Sequence, residues 1–195
     1  MLTSDYISIS PVHFTRVGQV LNYIAAKYAP YLYFTKLVKL LFLIDEESVK
    51  LYGVPITWLE YNVFDKGPLP GRLWLNIPKG DNDFLDFISV QEDEYGYKVL
   101  PNGKYELSEF TNFEISTIDA TLEKYGQYSV EELIEITHRE DGLWSKLVKE
   151  KNIEFTESDA SPYIIDFRDL IKKEKIKLHR FDMAIREIKF LESHI

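Results

Sequence analysis

Histidine is the side chain best suited to moving protons or holding a metal near neutral pH. The chain has four: His13, His138, His179 and His194. No two stand four residues apart and no His-Glu-x-x-His occurs, so no helical metal pair is written in the sequence. With no cysteine, thiol nucleophiles, disulfides and thiolate zinc sites are excluded. Only His138 stands beside carboxylates, in His138-Arg139-Glu140-Asp141. That spacing admits a hydrolase using His138 with Glu140 or Asp141 as acid and base. The plainer reading makes His138 the end of a helix, where a donor or cation suits the exposed carbonyls. Asp45-Glu46-Glu47 could be read as an acidic site, but consecutive helical residues point apart, so it reads as a solvated face. No serine sits in a nucleophile-elbow pattern.

The least ordinary stretch is FDKGPLPGRLW, residues 64–74. Its glycines match neither the phosphate loop nor the dinucleotide fingerprint. Proline fixes φ and lacks an N–H, so Gly67-Pro68-Leu69-Pro70-Gly71 reads as a stiff elbow between a strand and a short helix. A stiff elbow presents its neighbours at little entropic cost on binding. Lys66 and Arg72 are the charges it would present, with Trp58 and Trp74 as aromatic anchors. The partner-binding set expected from sequence is therefore Trp58, Lys66, Gly67, Pro68, Pro70, Arg72 and Trp74. A corner that only sets a helix angle is the competing reading.

The elements that must hold these residues follow from periodicity. With 195 residues the chain suits one domain, residues 1–195. Ser10-Pro11 opens a first helix, with Phe14, Val17, Leu21, Ile24 and Tyr28 as its stripe. A second helix is expected over about 35–51, apolar all round at Leu40–Ile44 and stopped by Gly53. Residues 56–64 read as a strand, then the elbow, then a short helix through Leu73, Trp74 and Ile77. Residues 84–107 read as a small antiparallel meander, with its strongest turn at Pro101-Asn102-Gly103. Thr111 with Glu114 and Ser129 with Glu132 are capping boxes, and Asp141 is the expected cap of a further helix carrying Trp144. A polar loop over 152–162 and a last amphipathic helix, Leu178 to Leu191, complete the chain. The expected fold class is α+β, mainly α-helical, with one small antiparallel sheet.

The formal net charge of -9 argues against a nucleic-acid platform and suits a partner with a basic surface. The start, MLTSDYISIS, lacks the basic and apolar regions of a signal peptide, and Leu40–Ile44 is far too short to cross a membrane. A cytoplasmic location is expected.

Three stretches, in order, resemble the Panacea-domain family, also called SocA-like antitoxins: KLVKLLFLID with YGVPIT (52–57), GPLPGRLW (67–74), and LSEFTNFEISTIDATLEKYGQYSVEELIEITHREDGLW (107–144). The resemblance spans about residues 12–150, with the helices of 162–195 expected to pack on it. One position departs: Lys66 precedes the Gly-Pro turn, where an aromatic residue is expected. No helix-turn-helix extension precedes the motifs, so direct promoter binding is not implied.

The resemblance implies a module that neutralises a cognate protein toxin of a type II toxin–antitoxin system by binding, with no catalysis and no cofactor. Members are paired with many unrelated toxins, and one delivers its toxin to a protease, so a protease or chaperone is a further implied partner. No direct nucleic acid and no membrane partner is implied. His138 and Trp144 are motif positions whose role the resemblance leaves open. Two alternatives remain: a phage or mobile-element protein of another role, and the His138 hydrolase.

Overall fold

The computed structural model describes residues 11–71, 73, 84–155 and 161–194. Six helices of eight or more residues lie among them: α1 (Pro11–Tyr28), α2 (Phe34–Tyr52), α3 (Asn112–Tyr125), α4 (Val130–Thr137), α5 (Leu143–Lys151) and α6 (Lys175–Glu192). Two antiparallel hairpins accompany them, β1 (Tyr61–Phe64) with β2 (Gly67–Pro70) and β3 (Ile88–Asp93) with β4 (Gly96–Pro101). The fold is α+β and mainly helical, as expected. Of the expected short helix, Leu73 is buried, while Trp74 and Ile77 lie outside the described residues, as does Arg72.

Helix α2 is the axis. Because Leu40–Ile44 is apolar on every side, neighbours must cover it all round, and α3, α4, β2 and the 3-10 turn at Phe167–Leu170 do so. Gly53 ends α2 at φ 88, a left-handed conformation that glycine adopts without strain. Leu41 is wholly buried in this core. Leu41→Ala is expected to destabilise the protein by about 3 kcal/mol through the cavity it leaves, read by chemical denaturation.

Both capping boxes form as read: Thr111 Oγ1 accepts from Glu114 N–H and Ser129 Oγ from Glu132 N–H, each reciprocated by the glutamate. Asp141, however, is not the cap of α5. Gly142 holds that position with no side-chain hydrogen bond, and the Asp141 carboxylate points to Arg139 instead.

The sheet structure is smaller and more divided than the sequence predicts. Only 61–64 of the expected strand 56–64 is strand, and the rigid elbow is itself the returning strand β2, turned by Asp65-Lys66. Pro68 faces Val63 and Pro70 faces Tyr61 across the pair. The meander of 84–107 is a single hairpin, turned by Glu94-Tyr95 ahead of Gly96; Tyr105 is exposed and outside any strand. Residues 161–165 run beside β1, with Ser161 N–H donating to Val63 O (3.0 Å) and Ile165 N–H to Tyr61 O (2.9 Å). This return leads the chain to α6, which lies against the end of α2: Arg180 donates to Tyr52 O and Lys177 to Lys50 O. No helix among the described residues is long and apolar enough to cross a membrane.

Candidate functional site

The three stretches behind the resemblance meet in space behind the first hairpin. From α2 comes Lys39, only 2% exposed, whose ammonium donates to Pro68 O at 3.0 Å. From β2 comes Gly67 at φ +96, where a Cβ would lie 2.9 Å from each of His138 Nε2, Lys39 Nζ and Thr137 Oγ1. Only glycine fits such a point. From the end of α4 comes His138, whose backbone N–H caps the helix on Ile134 O and whose ring stacks on Trp144 at 3.8 Å and 6°. Trp144 Nε1 donates to Phe64 O at 2.9 Å, which ties α5 to β1. The plainer reading of His138 as a helix end is therefore the one observed.

Electrostatics in this junction disfavour charge. Burial pushes the Lys39 ammonium down to about 7, against the opposing pull of Asp65. Burial, and then the nearby Lys39, pushes His138 down to about 4. No ion pair to Lys39 exists among the described residues, and His138 Nε2 is enclosed without a hydrogen-bond partner. Glu140 and Asp141 do not join His138: their side chains are 91% and 86% exposed, and they pair with Lys149 and Arg139. The three groups of the hydrolase reading do not converge. Among the described residues, no three His, Asp or Glu side chains gather as a metal's ligands would.

The acidic run of α2 corrects the sequence reading. Asp45 is 0% and Glu46 1% exposed, so this is no solvated face, although the side chains do point apart as helical geometry requires. Glu46 pairs with Arg139 across the core-facing side of α4's end. Asp45 accepts from Ile56 N–H and Thr57 N–H (2.8 Å each), from Tyr61 Oη (2.8 Å) and from Thr57 Oγ1. Burial pushes its carboxyl up to about 6 while these four donors pull the other way, so it is ionised above that pH. A signal for this burial existed in the sequence. A helix apolar all round is central, and the polar residues flanking its apolar run are enclosed with it.

Asp45 thereby fixes the loop 56–61, and the loop fixes Trp58. Trp58 has φ 55, a left-handed conformation that is strained for an aromatic residue and persists only when its surroundings over-determine it. Its indole stands 5.3 Å from the Phe181 ring and 6.5 Å from His13. It lines a groove of about 410 Å³ between loop 55–62, the end of β2 and the C-terminal segment. That volume lies within the range of small-molecule and side-chain pockets. Phe181, Ile185 and Ile188 of α6 form the apolar wall, and Glu60 and Lys189 stand at its sides.

The other residues of the expected binding set are placed as follows. Lys66 is exposed in the hairpin turn; Gly67, Pro68 and Pro70 are buried, with Pro70 bordering the groove; Trp74, like Arg72, lies outside the described residues. The structure thus separates an outward part, Lys66 and the half-buried Trp58, from an inward part that sets their positions.

Residues 37–145, more than half of the chain, match the family described as antitoxin SocA-like, Panacea domain. No curated protein and no solved structure matches the chain.

Proposed function

The chain belongs to the family of SocA-like antitoxins with a Panacea domain, and from that membership we propose that it neutralises a protein toxin by direct binding in the cytoplasm, without catalysis of its own. The observation that carries this reading is the inward use of the motif residues. Lys39, Asp45, Gly67, His138 and Trp144 are spent on holding the hairpin and loop 56–61 against α2 and α4. None of them opens a reaction centre, which suits a scaffold whose outer surface does the work. That surface is the groove at Trp58 with the Lys66 turn, and Arg72 and Trp74 belong to the same proposed binding set. The whole chain, residues 1–195, acts as the binding unit, because α6 supplies one wall of the groove.

Co-expression with the product of the neighbouring reading frame, toxic when expressed alone, tests this. Trp58→Ala and Lys66→Glu, each at the abundance and melting temperature of the parent, are expected to weaken neutralisation by about tenfold, equivalent to about 1.4 kcal/mol of binding. Arg72→Glu is expected to behave alike. Full neutralisation by all three would place the toxin on another face. Toxin abundance distinguishes the two routes: blocking leaves it unchanged, whereas delivery to a protease lowers it.

A further inference from the structure

We propose that the groove takes an amphipathic segment of the protein partner, seating apolar side chains between Trp58 and α6 and an arginine or lysine on Glu60. This rests on the reading that the chain binds a protein, and it names the chemistry of what is bound. Glu60 is half-buried at the groove's side and makes no hydrogen bond or ion pair among the described residues. An acidic group withdrawn from water without a partner is costly, and an arriving cation recovers that loss. Burial raises its carboxyl from the ordinary glutamate value, with no charge acting against it. Of the other acids lining the groove, Asp166 is already held by Arg168 at 2.6 Å and Glu192 lies at the far end of α6, whereas Glu60 stands on the loop that carries Trp58 and is the carboxylate assigned to the guest.

The apolar part of the argument sets the size of the guest. The groove is floored by the Trp58 ring and walled by Phe181, Ile185 and Ile188. Apolar surface is not confined to one subsite: the lining runs along α6 from Phe181 to Glu192, about 16 Å at 1.5 Å per residue, and Ile164 within it is exposed. A small molecule would cover only part of this length, whereas a protein segment covers it all. A net charge of -9 on the chain favours a basic partner and speeds its approach. The floor lies within the residues matched to the family, and the wall from 164 onward lies outside them. Partner choice is therefore set where a shared floor meets this chain's own C-terminal helix.

The test uses the full chain and two capped peptides, acetyl-Leu-Leu-Arg-Leu-Leu-amide and the same peptide with Gln for Arg, followed by heteronuclear NMR. Binding of the Arg peptide is expected in the millimolar range, with shifts at the Trp58 indole N–H and the Ile185 and Ile188 methyls. The Gln peptide is expected to bind about fivefold more weakly or worse, and Glu60→Gln, which keeps the side chain's shape, should abolish the difference. Equal binding of the two peptides, a difference that survives in Glu60→Gln, or shifts confined to another face would each overturn the proposal. A concentration-dependent dimer in sedimentation, lost in Ile188→Arg, would give the groove to a second copy and overturn it as well. Because no toxin enters these measurements, failure here leaves the antitoxin reading standing. Failure of co-expression rescue with intact Glu60-dependent peptide binding would overturn that reading alone.

Discussion

Asp45→Ala is expected to lower the stability of the protein by about 4–5 kcal/mol, one of the largest effects of any single change discussed. The carboxylate is fully buried and four donors converge on it from loop 56–61. Alanine removes every acceptor at once. Two backbone N–H groups and two hydroxyls then stand in a closed core, and each buried donor left without a partner costs about 1–3 kcal/mol. Relaxation and entry of water reduce the total below the simple product. Asp45→Asn retains the volume and one acceptor oxygen, so it is expected to lose about half as much. Urea denaturation of both variants measures this, with indole fluorescence reporting the release of Trp58 from its strained backbone. If Asp45→Ala stays within about 1 kcal/mol of the parent, the network does not hold the loop, and the strain at Trp58 has another source.

That network also marks where sequence reading stopped. Local signals were legible because their chemistry is local. The boxes Thr111–Glu114 and Ser129–Glu132 and the Gly53 cap each complete themselves within five residues, and all three form. The family resemblance and the mainly helical α+β class were legible on the same footing, from stretches read in order. Asp45 and Lys39 were not, because their partners arrive from elsewhere in the chain: loop 56–61, and the carbonyl of Pro68. A polar side chain on a helix reads as solvated until the elements that bury it are placed. The elbow shows the same limit. Two prolines suggest a bend, yet an edge strand tolerates the loss of their N–H groups, and Tyr61 and Val63 across the ladder make it a strand. Conversely the strong turn Pro101-Asn102-Gly103 leads to no further strand, because pairing depends on what lies beyond the turn. The candidate groove was half legible: Trp58 was singled out, but Glu60 and the wall from α6 acquire meaning only once residues far apart in sequence face each other.

Lys39→Met is expected to make the protein more stable at neutral pH and to remove a rise in stability that the parent shows in alkali. A lysine buried without an ion pair is carried at a loss when charged, and methionine fills nearly the same volume without that loss. Pro68 O would forfeit its donor, which offsets about 1 kcal/mol of the gain. The net expectation at pH 7 is a stabilisation of about 2 kcal/mol. The pH dependence follows from the direction of the shift. The folded ammonium titrates at about 7, whereas the ordinary lysine value is 10.5. Between these values the unfolded chain holds a proton that the folded chain has released, so stability rises with pH. Below about 7 both states are protonated, and Lys39 adds no slope. From pH 7 to 10 the parent is therefore expected to gain about 4 kcal/mol relative to Lys39→Met. Tyrosines that titrate in the same range are common to both proteins and cancel in the difference. Urea denaturation at three pH values measures it. An independent readout is the imidazole of His138, held down to about 4 partly by Lys39; in Lys39→Met its titration should move back toward the ordinary histidine range. A difference between parent and variant that does not change with pH would mean that Lys39 stays charged in the fold, with Asp65 of the hairpin turn as the nearest acid to neutralise it. Asp65→Asn then tests that account: it brings in the alkaline rise that the parent lacks only if Asp65 is what resists the loss of the Lys39 proton.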